Sequence, residues 1–277
     1  MRKRLSRAAL ACAVVFVLAQ PAAAITWFEQ EVSCPVCRTK NVFLVPGSWG
    51  SYIYQYESKF ELIFWPFTDS PTFHSCKKCR YTAFMGDFEK APKEKHAELL
   101  KRLAGFKLEP RKDGESMTKY YKGAVYLDIP VTDRLLAAQA VYEVLGRTGD
   151  DFWCHFHRVL GYHYAAEKRP AEADAARRKA LSLAEKMLAD QSRAGERKEL
   201  LYITGAMRHF LRDDAGAVRD FREAERLKFS HRELKPEQAE NYDSFLSDLL
   251  RQYFEKLKAQ PGEKQVGARG PRRAPRV

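Results

Sequence analysis

Two Cys-x-x-Cys pairs constrain this chain more than any other feature. Cys34 and Cys37 stand in "SCPVCRTKN", Cys76 and Cys79 in "SCKKCRYTAF", and 38 residues separate the pairs. A tight turn can offer two thiolates at once. A chain that folds back can bring a second such turn opposite the first, the four-ligand arrangement a tetrahedral zinc ion needs. Pro35 suits a rigid turn because its φ is preset. The residue after each second cysteine is an arginine, Arg38 and Arg80, at a position where positive φ would favour glycine. The pattern predicts one structural zinc on Cys34, Cys37, Cys76 and Cys79. Two other chemistries stay open, a pair of disulfides and a redox dithiol. His74 reads as a neighbour of the site and not a ligand.

The compartment bears on that choice. The chain opens "MRKRLSRAALACAVVFVLAQPAAAITWF", with a basic head, an apolar run over 8–19 and small residues at Ala22 and Ala24. This is the layout of a secretory signal peptide over 1–24, with cleavage before Ile25. Cys12 lies inside the apolar run, so it would leave with the signal. No later stretch is long and apolar enough to span a membrane, and the mature protein is expected in the periplasm or outside the cell. The net charge is +12, falling to +8 without the leader's basic residues. Such an excess suits solubility and anionic envelope surfaces; export argues against nucleic acid as the partner.

Between the cysteine pairs the chain is aromatic. Tyr52, Tyr54 and Tyr56 alternate, as do Phe60, Leu62 and Phe64, the period of half-buried strands. The expectation is a zinc-ribbon-like domain over 25–90 carrying an aromatic β-hairpin. From Ala91 the pattern turns helical. "APKEKHAELLKRLAGF" predicts a helix with Pro92 in its first turn, followed by a connector to 130 in which "GAVYLDIP" reads as extended. Over 131–259 everything reads as helix. Leu135, Ala138, Tyr142 and Leu145 share one face; Phe152, Phe156, Val159 and His163 share another, with Asp150 and Asp151 placed to cap. Tyr242, Phe245, Leu246, Leu249, Leu250, Tyr253, Phe254 and Leu257 form a long final stripe. The 260–277 tail, rich in Gly, Pro and Arg, predicts disorder and contact with anionic surfaces.

A finer pattern repeats within the helices. Gly161, Ala173 and Ala180 are matched by Gly205, Ala217 and Ala224, 44 residues on. Small residues at these offsets let two antiparallel helices approach closely. The pattern resembles the tetratricopeptide helix pair, with a longer repeat and with Arg177 standing where Phe221 stands in the second copy. "CPVC", "CKKCRYTAFMGDFEK" and "DFWCHFHRVLGYHY" together resemble bacterial domain-of-unknown-function family 2225. That resemblance implies a zinc-ribbon-like head followed by tetratricopeptide-like helices, and no activity.

The expected fold is therefore α+β, mostly α, a small β zinc-ribbon-like domain followed by an antiparallel helical array. Cys154, His155 and His157 offer too few ligands on one face to make a second site and are expected to pack in the core. No catalytic constellation stands out. The leading expectation is a non-enzymatic exported scaffold, with a structural zinc and a helical surface for a protein or peptide partner. The alternatives are an envelope thiol–disulfide oxidoreductase using one Cys-x-x-Cys pair, and a module binding cell-wall polymer through aromatic and basic side chains.

Overall fold

The computed structural model describes residues 25–48, 57–111 and 119–258. The leader, the 49–56 tyrosine strip, most of the "EPRKDGESMTK" loop and the basic tail lie outside them.

Among the described residues, two antiparallel hairpins form the β portion. Strand β1 (Thr26–Ser33) pairs with β2 (Lys40–Ser48), and β3 (Phe73–Ser75) pairs with β4 (Thr82–Phe84). Each cysteine turn joins the two strands of its hairpin, since Ser33 faces Lys40 and Ser75 faces Thr82. Helix α1 (His96–Leu103) follows, then α2 (Val131–Val144) and the helical array: α3 (Asp150–Ala166), α4 (Pro170–Ala189), α5 (Arg197–Phe210), α6 (Asp214–Glu225) and α7 (Pro236–Lys258). The chain is α+β and mostly helical, small sheets first and helical array after.

The 44-residue repeat is present in three dimensions. Gly161 lets α3 close on α4, where a Cβ would lie 3.0 Å from Arg177 Cγ and 3.4 Å from the Ala173 carbonyl oxygen. Gly205 does the same for α5 and α6, against the ring of Phe221. The turns match as well. Lys168 and Arg212, also 44 apart, both take left-handed backbone, with φ of 60° and 70°. Arg169 and Asp213 donate equivalent amide bonds, each 2.9 Å, to Tyr164 and Arg208. Tight turns of this kind return each second helix antiparallel to its first.

Four expectations need correction. Glu57–Glu61 is a turn of 3-10 helix and Leu62 has φ of 50°, so Phe60, Leu62 and Phe64 do not alternate along a strand. A half-buried strand would turn Glu61 to water; here Glu61 is buried with Phe60 and Leu62, because Arg177 on α4 receives its carboxylate. The "GAVYLDIP" segment is likewise a 3-10 turn, Val125–Asp128, which buries Tyr126 and Leu127. Pro92 precedes a 3-10 turn, Lys93–Lys95, instead of opening the α-helix itself. Gly149 is the N-cap of α3, and Asp150 and Asp151 lie in its first turn without capping bonds. There they complement the helix dipole and meet Lys186 and Arg193.

The helices do not close their apolar stripes on one another alone. One core runs from Cys34, Phe43 and Tyr81 in the hairpins through Leu99, Leu103 and Tyr126 to Leu135, Tyr142, Phe156, Val159 and Ala176. Helix α2 is buried on nearly every side and carries Arg134, fully sealed, whose guanidinium holds the Ser70 and Phe73 carbonyls at 2.9 and 2.8 Å. Tyr142 takes the Phe84 amide at 3.0 Å, and Tyr126 takes that of Leu44. The boundary expected near residue 130 is a change of element type within shared packing. A second core joins Phe60 and Leu62 to Ala180, Leu201, Tyr202, Phe221, Leu249 and Tyr253.

Candidate metal centre

The two cysteine turns are copies of one backbone geometry. Cys34 N–H donates to Thr39 O at 2.9 Å, and Arg38 N–H to Cys34 O at 2.9 Å. Cys76 N–H donates to Tyr81 O at 2.9 Å, and Arg80 N–H to Cys76 O at 3.0 Å. Arg38 and Arg80 have φ of 63° and 64°, the left-handed conformation expected at these positions. Arginine is less comfortable there than glycine. It brings positive charge in return, and Lys77 and Lys78 add two more basic residues within the second turn.

The turns meet face to face. The Cys34 and Cys79 sulfurs are 3.6 Å apart, those of Cys37 and Cys76 3.5 Å, and all four sulfurs lie within 4.8 Å of one another. A tetrahedron with Zn–S bonds of about 2.3 Å has edges of about 3.8 Å. Both short separations join one turn to the other. They far exceed a disulfide bond of about 2.05 Å, and all five described cysteines are free. Cys34, Cys76 and Cys79 are buried, and Cys37 is half-buried.

Electrostatics favour a cation at the centre. Backbone N–H groups point at the sulfurs: Cys37 to Cys34, Lys78 and Cys79 to Cys76, Tyr81 to Cys79. Hydrogen bonds from Cys34 and Cys79 pull the Cys76 thiol far below its ordinary range. The same hydrogen bonds, together with burial, push its neighbours up, Cys34 to about 12 and Cys79 in the same direction. Four sulfurs packed this closely can all be thiolates only where a divalent ion shares their charge. The donor set and spacing fit such an ion.

Asn41 is a site residue that spacing alone does not reveal. Its Nδ2 donates to Thr39 O at 2.9 Å and lies 3.7 Å from Cys76 Sγ, and its Oδ1 accepts the Lys77 amide at 3.0 Å. One carboxamide therefore ties both turns together. The available signal is an asparagine in the inward phase of "NVFLV", where Asn41 and Phe43 are both buried. Thr39 Oγ1 stands 3.3 Å from Cys37 Sγ. His74 lies outside the cluster, stacked on Phe43 at 4.2 Å with Nε2 toward Leu44 O.

No family model matches this chain, and neither a curated protein nor a solved structure matches it.

Cys154, His155 and His157 take no part in a metal cluster among the described residues. Cys154 is buried and its thiol donates to Ala180 O at 3.4 Å. Burial pushes His155 down to about 3 and His157 to about 4, so both rings are neutral at physiological pH. On the first helix of each pair a different feature opens. Part of the face shared by α3 and α5 is covered by the chain's own 57–67 segment. Arg158 holds the Glu61 carbonyl at 2.8 Å, Tyr202 that of Phe60 at 3.3 Å, and His163 that of Phe67 at 2.8 Å. Beyond this segment lies a cavity of about 1000 Å³, lined by α3, the α4–α5 connection, α5 and the loop around Ser230.

Proposed function

We propose that this is an exported, non-enzymatic scaffold protein in which a zinc ion on Cys34, Cys37, Cys76 and Cys79 fixes the β head against a helical array that receives a protein or peptide partner. The observation that carries the reading is the meeting of two copied turns whose four sulfurs lie within 4.8 Å. Zinc suits four thiolates in tetrahedral array. Four sulfur ligands would fill its coordination shell and leave no position for a reacting water, so its role is structural. Three of the four cysteines are buried, which supports a structural role over thiol–disulfide exchange, a chemistry that needs an accessible thiolate. The partner surface is the uncovered part of the α3 and α5 face, where the cavity lies.

Elemental analysis with thiol counting, on protein taken from its native compartment, tests the metal. One zinc and four metal-protected thiols per chain are expected. Two disulfides and no metal would defeat the reading, and one reducible pair exchanging with small thiols would favour the oxidoreductase.

A further inference from the structure

Strand β1 turns one backbone edge away from its partner β2, and the hydrogen-bonding phase says which residues do so. The Cys34 amide donates to Thr39 O at 2.9 Å across the cysteine turn. Facing residues in an antiparallel pair alternate between bonded and unbonded. Counted back through the register, Val32, Gln30 and Phe28 bond to β2, while Glu31, Glu29 and Trp27 face outward. Two facts on β2 agree. Trp27 lies opposite Pro46, which has no amide to give. Leu44, opposite Glu29, sends its amide to Tyr126 Oη at 3.2 Å and its carbonyl toward His74 Nε2 at 3.3 Å, away from β1. Among the described residues no third strand meets the outward groups of Trp27, Glu29 and Glu31. Only Trp27 and Val32 are half-buried on this strand; the rest is exposed, Phe28 by 57%. A long edge without proline or lysine is a template for another strand.

The chain's own segments outside the described residues fit this edge poorly. Strand β2 ends at Ser48 beside Thr26, and eight residues lead from there to Glu57. Turned straight back, they would run parallel to β1, and a parallel neighbour needs a crossover of about a dozen residues. To run antiparallel they would first travel the length of β1, about 24 Å at about 3.4 Å per residue, which takes nearly all their reach. The 260–277 tail is interrupted by Pro261, Pro271 and Pro275, which break a ladder.

We propose that β1 is the dimerisation edge of this protein: it pairs antiparallel with β1 of a second copy across a two-fold axis at Phe28, and the two hairpins become one four-stranded sheet. The axis must pass through a residue, so that facing side chains share one side of the sheet. At Glu29, Gln30 or Glu31 it would set glutamates opposite one another, which is destabilising. At Phe28 it sets Phe28 against Phe28, Trp27 against Glu29, Thr26 against Gln30 and Ile25 against Glu31. The exposed ring is then covered, no two acidic residues face each other, and the outward backbone groups of Trp27 and Glu29 satisfy one another. The contact is isologous, so it closes at two copies.

Sedimentation equilibrium on protein isolated from its native compartment reads the mass, and hydrogen exchange reads the amides of Trp27, Glu29 and Glu31. A dimer is expected, with protection of these amides that rises with protein concentration. Glu29→Pro removes one outward amide per copy and leaves the bonds to β2 in place. Phe28→Glu sets like charges on the axis. Each should weaken dimerisation about tenfold to a hundredfold while keeping the wild-type helical circular dichroism. Under mild oxidation Phe28→Cys should form an interchain disulfide and Gln30→Cys should not, because Gln30 lies about four residues from its copy in this register. A single-chain mass at every concentration overturns the proposal. Amides protected equally at all concentrations put a segment of the same chain on the edge and overturn it, and a complex with a different protein that protects them does the same. A dimer whose affinity neither variant lowers overturns β1 as its interface, and crosslinking through Gln30→Cys but not Phe28→Cys overturns the register.

Discussion

Replacing Glu61 by Gln removes one charge from a pair that water does not reach. The Glu61 carboxylate accepts Arg177 Nε at 3.0 Å and Nη2 at 2.9 Å, with only 4% and 8% of the two side chains exposed. The amide keeps the shape, yet it loses the charge and turns an N–H₂ toward a guanidinium that has only donors. Arg177 keeps its stacking on Phe210, 4.2 Å from guanidinium to ring centre, but lacks a counter-ion. Breaking a buried pair on one side costs about 3–5 kcal/mol, a large share of the stability of an ordinary domain. With a urea slope of about 2–3 kcal/mol/M, the midpoint falls by about 1–2.5 M. Unfolding should be followed by helical circular dichroism and by exposure of the cysteine thiols in the same samples. Because one core runs from Cys34 to Ala176, both signals should move together. Glu61→Leu combined with Arg177→Met should recover most of the loss, as apolar replacement of a buried pair is often nearly neutral. A midpoint shift below about 0.3 M would overturn the account of the buried Glu61–Arg177 pair, and thiols exposed while the helices keep their wild-type midpoint would overturn that of the shared core.

Cys76→Ser should abolish stoichiometric zinc binding, checked by elemental analysis, and lower the midpoint of the whole chain, because the head shares its packing with α2 and α3. Asn41→Ala leaves the Lys77 amide without its acceptor and both turns untied; a loss of about 1–3 kcal/mol and about tenfold to a hundredfold weaker metal affinity are expected, read by urea midpoint and chelator competition. His163, buried and donating to Phe67 O, has its pKa lowered to about 4. Its native pKa lies below the unfolded value of about 6.5, so its contribution is complete above about pH 6.5 and declines as pH falls toward 4, by at most about 3 kcal/mol. His163→Gln should flatten that part of the pH dependence of the urea midpoint between pH 7.5 and 5, and an unchanged slope would contradict the buried neutral ring.

The sequence made the four-cysteine cluster legible because its geometry is local. Two residues between thiols and a reversed chain are enough to specify each turn, and the left-handed residue after the second cysteine follows from the same geometry even with arginine in place. The 44-residue repeat was legible through Gly161 and Gly205, whose missing side chains mark close helix contacts. The 57–67 segment was not legible. Its aromatic alternation imitates a strand, and the partner that overrides this pattern, Arg177, lies 116 residues away. The mismatch of Arg177 with Phe221 was visible, but its cause was not, because a buried ion pair leaves no periodic trace. Asn41 was hidden differently: its work is done by a carboxamide in a strand, and only burial distinguishes it from a surface asparagine.

The pairing of Glu57 with Lys256 on α7 joins residues 199 apart, and Phe60 packs edge-on against Tyr253 on the same helix. A chain made from its N-terminus releases Phe60 and Leu62 long before α7. Throughout most of synthesis these two side chains lack their final cover, so the nascent protein keeps an apolar handle open to chaperones. Any product that stops before α7 keeps it too. Formation of α7 is thus the event that covers this handle, and proteases that recognise exposed apolar segments can act on copies that lack it.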